Sequence, residues 1–195
     1  PLESDFNLRT MEISFDRTCQ FACSYCNPAF STTWVKDIKK HGPYKDLKTD
    51  GAGHYDHTAD DAGKFDNKDD NPYEEAFFKW WESDLHKTLK ELRVTGGEPL
   101  MSRGTWKLLD WFADAYQDKE KYPEFNRTMR LAINTNLGAK DGLVDRLVEK
   151  AKNIPDLDIY TSNEAMYGQA ESVVGQLLKK NKPNSQPFIA TKVWT

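Results

Sequence analysis

Apolar and polar positions alternate along Met11-Glu12-Ile13-Ser14-Phe15, the period of two that a strand imposes. Short apolar-rich runs recur at Leu92-Arg93-Val94-Thr95, at Arg130-Leu131-Ala132-Ile133-Asn134-Thr135-Asn136 and at Leu157-Asp158-Ile159-Tyr160-Thr161-Ser162, and each predicts a further strand. Between them the period lengthens to that of a helix. Thr32–Lys40 predicts a short helix, although Thr32 and Thr33 make poor helix interior. Asn71-Pro72-Tyr73-Glu74 opens a second one: Asn caps, Pro suits the first position, and a Glu stands three residues after the cap. Phe77, Trp81, Leu85 and Leu89 then repeat along one face, read as core. Ser102 is placed to cap the next helix, with Leu108, Trp111, Phe112 and Ala115 inward. A helix over 142–152 follows, with Leu143, Leu147 and Ala151 at helical spacing. A last one spans 165–180, interrupted by Gly168 and Gly175, and residues 188–194 begin a fifth strand.

Four strand–helix repeats predict an α/β fold with parallel strands and helical crossovers. In parallel α/β barrels the active site lies at the carboxyl ends of the strands. Four polar stretches fall there: the segment after the first strand, Gly96-Gly97-Glu98 after the second, Asn134 to Asn136 after the third, and Ser162 to Glu164 after the fourth. One mouth is expected to collect them. Residues 42–72 break the pattern with four glycines and eight aspartates, which against four lysines leave this stretch at −4. It predicts a long acidic loop inserted in a single domain over 1–195, either a flap beside the mouth or a plain surface insertion. No loop with EF-hand spacing occurs in it.

The formal net charge of −4, with no basic stripe, argues against a general nucleic-acid binder. No apolar run approaches a membrane span and no signal-peptide pattern opens the chain, so no membrane partner is expected. Free cysteines then point to a reducing cytoplasm.

All three cysteines fall within eight residues, Cys19-Gln20-Phe21-Ala22-Cys23-Ser24-Tyr25-Cys26, at the spacing C-x3-C-x2-C. An odd count excludes a simple disulfide framework. Soft thiolates suit iron–sulfur clusters and zinc. A four-iron cluster with only protein ligands needs four cysteines, so three leave one iron open to a substrate or cofactor. Zinc instead needs a fourth ligand, with His41, His54 and His57 as candidates, whereas structural zinc sites usually present two separated pairs. Both readings stay open on spacing alone: a reactive cluster, or a non-catalytic zinc- or cluster-binding interaction module.

With Tyr25 just before the third cysteine and Gly96-Gly97-Glu98-Pro99 downstream, the chain resembles the radical S-adenosylmethionine (radical SAM) enzymes. Cys26-Asn27-Pro28 and Thr95-Gly96-Gly97-Glu98-Pro99-Leu100-Met101 resemble, more narrowly, the twitch-domain-containing members. The resemblance implies a partial (β/α) barrel of about six strands, of which this chain shows four clear units and the start of a fifth, so the core is expected to be incomplete at its C-terminal end. It implies a [4Fe–4S] cluster on Cys19, Cys23 and Cys26, with S-adenosylmethionine chelating the open iron. Reductive cleavage, with a flavodoxin or ferredoxin as electron donor, then gives a 5′-deoxyadenosyl radical that takes hydrogen from a peptide or small-molecule substrate. Gly96, Gly97 and Glu98 are expected at the methionine moiety, with Glu98 binding its ammonium or orienting the loop. Tyr25 is expected near the adenine, and Asn134, Ser162 and Glu164 at the ribose or carboxylate. Twitch-type relatives usually carry further cysteines for an auxiliary cluster; this chain has none.

Overall fold

The computed structural model describes residues 8–23, 26–42, 44, 65–66, 68–139, 142–161, 176 and 179. The helix over 165–180 (apart from 176 and 179), the fifth strand over 188–194 and most of the acidic stretch over 42–72 lie outside the described residues. The strands are β1 (Thr10–Ser14), β2 (Glu91–Thr95), β3 (Arg130–Thr135) and β4 (Leu157–Thr161). They form one parallel sheet in the order β1-β2-β3-β4, with Ile13 beside Val94, Val94 beside Ile133, and Ile133 beside Ile159. Each stands within two residues of its expected place, because alternation marks a strand with one apolar face.

The helices are α1 (Thr32–His41), α2 (Pro72–Trp80), α3 (His86–Thr88), α4 (Arg103–Gln117) and α5 (Leu143–Ala151). Asn71 caps α2 as expected: its Oδ1 accepts from Tyr73 N at 2.9 Å and Glu74 N at 3.4 Å. Its Nδ2 also donates to the Phe15 carbonyl at 2.7 Å, which ties α2 to the end of β1. The single helix expected through Leu89 is interrupted by a π turn at Trp81–Leu85. The Trp81 carbonyl there accepts from both the backbone N–H and the ring Nδ1 of His86, the latter at 2.6 Å. A bond reaching five residues back widens the helix by one residue. Ser102 occupies the N-cap of α4 but makes no capping bond, and its hydroxyl is buried without a partner. Its N–H closes the preceding 3₁₀ turn (Pro99–Met101) on the Pro99 carbonyl, and that turn delivers the side chain inward.

One face of the sheet is apolar. Leu92, Val94, Leu131 and Ile133 are fully buried against Phe77, Trp81 and Leu85 and against Leu108, Leu109 and Phe112 of α4, with Leu147 of α5 in the same core. The other face is polar. Glu12, Arg93, Ala132 and Asp158 share one register row. Arg130 pairs with Asp158 at 2.8 Å and donates to Tyr160 Oη at 2.7 Å, and Arg93 pairs with Glu91 at 3.2 Å. Sequential strand order with α2, α4 and α5 sharing one core marks a singly wound sheet; a doubly wound one reverses its strand order and covers both faces. No helix among the described residues is long and apolar enough to cross a membrane.

Phe15, just past β1, anchors this layer. Its ring stacks on Phe78 at 5.7 Å and meets Phe77 edge-on at 5.4 Å. Gly104 of α4 lies flat against it: a Cβ there would stand 2.6 Å from the ring. Gly104→Ala gains about 1 kcal/mol of helix propensity, but overpacking a ring with no room to retreat costs about 1–3 kcal/mol. Net destabilisation is therefore expected, read as a lower urea midpoint with unchanged m-value; a midpoint at or above the native one contradicts this packing.

Candidate functional site

The chain leaves β1 through Asp16, whose carboxylate accepts from Thr18 N at 2.8 Å and turns the backbone. The Gly96-Gly97-Glu98 loop leaves β2 alongside. Gly97 N donates to the Asp16 carbonyl at 3.2 Å and Glu98 N to the Thr18 carbonyl at 2.7 Å. A Cβ on Gly97 would stand 2.3 Å from Thr18 O, and one on Gly96 would stand 2.4 Å from Ser14 Oγ, with φ there at +115°. Both glycines therefore let the β2 loop lie directly on the backbone that leads to Cys19. That contact lies within the chain and is distinct from the cofactor contact expected from sequence.

The cysteine loop is held from its far side by α1. Cys19 N donates to Thr32 Oγ1 at 3.2 Å, and the hydroxyls of Thr32 and Thr33 donate to the Cys19 carbonyl at 3.0 and 2.8 Å. These two threonines, poor helix formers, occupy the first turn of α1 and fasten the loop. Ser31 caps α1, accepting from Thr33 N and Trp34 N, and its hydroxyl donates to the Phe21 carbonyl at 2.5 Å. Trp34 Nε1 donates to the Cys23 carbonyl at 2.9 Å. Cys26 N closes a turn on the Cys23 carbonyl at 3.0 Å, so Cys23 and Cys26 share one bend. Arg17 brings in the end of the acidic stretch, donating its N–H to the Phe65 carbonyl and pairing with Asp66 at 2.9 Å.

The end of β3 completes the site. Glu98 is 1% exposed. Its Oε1 accepts from Thr135 Oγ1 at 2.5 Å and Leu100 N at 3.0 Å, and its Oε2 from Asn136 N at 2.7 Å. Asn136 Oδ1 accepts from Gln20 Nε2 at 2.9 Å, and its Nδ2 donates to Cys19 Sγ at 3.9 Å. Gly138 lies against Phe21: a Cβ would stand 2.7 Å from that ring. From sequence Asn136 is a weaker candidate than Asn134 for the ribose or carboxylate of the cofactor, and neither its contact with Cys19 nor the seat that Gly138 makes for Phe21 is read there; an Asn-x-Gly step directly after a strand was the available signal. Asn134 is exposed on the polar face, beside Tyr160 in the register. Tyr25, Ser162 and Glu164 lie outside the described residues.

All three cysteines are free. Burial pushes the Cys19 thiol up and that of Cys26 up to about 11. Burial likewise raises the carboxyl of Glu98, against the lowering effect of its three donors. Among the described residues no three His, Cys, Asp or Glu side chains stand in a geometry that could hold a metal ion. The donor chemistry nonetheless fits a cluster or soft metal: three free thiols on one loop, with Cys19 Sγ receiving N–H groups from Phe21 N at 3.5 Å and from Asn136. Beside them Gln20 Oε1 is buried without a partner among the described residues.

In comparisons with known proteins, the chain matches no protein-family model, no curated protein and no solved structure.

Two outcomes follow. Burial holds protons on Cys19 and Cys26 that metal binding must displace, so cobalt(II) affinity should rise with pH, by up to about tenfold per pH unit for each proton displaced. Titrations at pH 7 and 8 with equal affinity contradict this. Gly97→Ala should lower iron and sulfide uptake on reconstitution while far-UV circular dichroism is retained, because the new Cβ meets Thr18 O next to Cys19; full uptake contradicts it.

Proposed function

We propose that the chain is a radical SAM enzyme whose sheet is part of a (β/α) barrel, with its reactive mouth at the carboxyl ends of the strands. The observation that carries this reading is convergence. Three free thiols leave the end of β1, the Gly96-Gly97-Glu98 loop lies on the backbone that leads to them, and Asn136 from the end of β3 reaches Cys19 Sγ. The sequential order of the parallel strands, with α2, α4 and α5 packed into one core, supports the barrel, because a doubly wound sheet reverses its strand order.

Cys19, Cys23 and Cys26 would hold a [4Fe–4S] cluster. With S-adenosylmethionine bound, the two groups would supply reductive cleavage to a 5′-deoxyadenosyl radical that takes hydrogen from a substrate. The chain's own part is positional. Thr32, Thr33 and Trp34 fix the carbonyls of Cys19 and Cys23, and Glu98 fixes the loops after β2 and β3. This geometry supports loop orientation as the role of Glu98. Asn134, exposed on the polar face, offers amide hydrogen bonds to a polar ligand. The substrate is a peptide or a small molecule, and the electron donor a flavodoxin- or ferredoxin-type carrier.

Anaerobic reconstitution tests this. The native protein should turn brown and carry about four irons per chain, and it should convert S-adenosylmethionine to 5′-deoxyadenosine under a low-potential reductant. Cys19→Ala, Cys23→Ala and Cys26→Ala should each lose the stable cluster, since the chain has no other cysteine. A colourless protein with tightly bound zinc sinks the enzyme reading in favour of the interaction module.

A further inference from the structure

We propose that Asn136 is a positioning residue for Cys19, and that its side-chain N–H sets the reduction potential of a cluster held there; this rests on the cluster reading above. The amide orientation is fixed by its neighbours. Asn136 Oδ1 accepts two N–H groups, from Gly138 N at 2.8 Å and from Gln20 Nε2 at 2.9 Å. A flipped amide would set its own NH₂ against both donors. The Nδ2 atom is therefore held on the opposite side, where Cys19 Sγ accepts at 3.9 Å. The residue's backbone is equally constrained, its N–H bound to the buried Glu98 carboxylate at 2.7 Å.

The consequence is electrostatic. Adding an electron to a thiolate-held cluster increases negative charge on the sulfurs, and N–H donors to sulfur stabilise the reduced form more than the oxidised form. Among the described contacts, Cys19 Sγ receives two N–H groups, one from the loop itself at Phe21 and one from across the mouth at Asn136. The backbone donor persists whatever residue stands at 21. The side-chain N–H depends on position 136, which makes it adjustable, whereas the Ser31 hydroxyl beside Cys19 donates its one proton to the Phe21 carbonyl at 2.5 Å. Glu98, through Asn136 N, thus transmits the geometry of the β2 end to the sulfur on the β1 loop.

Two measurements test this. In the metal-free protein, the Asn136 side-chain amide signals in a ¹H–¹⁵N spectrum should shift on Cys19→Ala; signals that do not respond remove the contact and overturn the proposal. In the reconstituted protein, EPR-monitored redox titration should give a more negative midpoint for Asn136→Ala. Asn136→Asp keeps an oxygen for Gly138 and Gln20 while replacing the donor by a charge, and should move further in the same direction. Gln20→Ala keeps the N–H to Cys19 and should stay near the native value. Native potentials in both Asn136 variants overturn the proposal. A shift in Gln20→Ala as large as that in Asn136→Asp assigns the effect to loop packing and also overturns it. A native protein that takes up no cluster, while the amide signals do respond, defeats the cluster reading and with it the redox role, and leaves the contact itself established.

Discussion

The buried carboxylate of Glu98 is the constraint on which the mouth depends. Its backbone N–H binds the loop after β1 at Thr18, and its two oxygens take Leu100 N in its own loop and Thr135 Oγ1 and Asn136 N at the end of β3. Hydrogen bonds to a charged group contribute about 1.5–3 kcal/mol each. Burial still prevails over the three donors, since the carboxyl is shifted upward. A buried carboxyl whose desolvation outweighs its donors adds little to net stability. What it supplies is register: three loops from three strands meet at one residue with no side chain free to drift.

The strands and most helices were legible because each has one apolar face and one polar face, and alternation records that directly. The same pattern cannot record what a backbone touches. Gly96 and Gly97 read as room for a cofactor; the structure adds that a Cβ on either would meet Ser14, Asp16, Arg17 or Thr18 of the same chain. Thr32 and Thr33 weakened a helix prediction on propensity; their hydroxyls are occupied by the Cys19 carbonyl, a partner thirteen or more residues away. The π turn at Trp81–Leu85 left the apolar spacing intact and turned on one ring nitrogen of His86. Ser102 has the residue type and dihedral angles of a cap without its hydrogen bond, because a 3₁₀ turn decides where its hydroxyl points.

At the candidate site, the thiol donor set was legible, since three cysteines at close spacing admit few other uses. The residue that bridges to it was not. Asn136 stands 117 positions from Cys19, and only the parallel order β1-β2-β3 brings the two loops to the same end of the sheet. The polar face behind that end carries a layer of ion pairs, Arg93 with Glu91 and Arg130 with Asp158, and above it Asn134 and Tyr160 beside each other.

On the proposed function, three thiols hold a cluster with one iron left open. The EPR spectrum of the reduced, reconstituted protein with and without S-adenosylmethionine tests it most directly. An open iron predicts that adding the cofactor changes the g-values of the cluster signal, because a new ligand enters the coordination sphere. A signal identical in both samples, at cofactor concentrations that saturate binding measured independently, would contradict it.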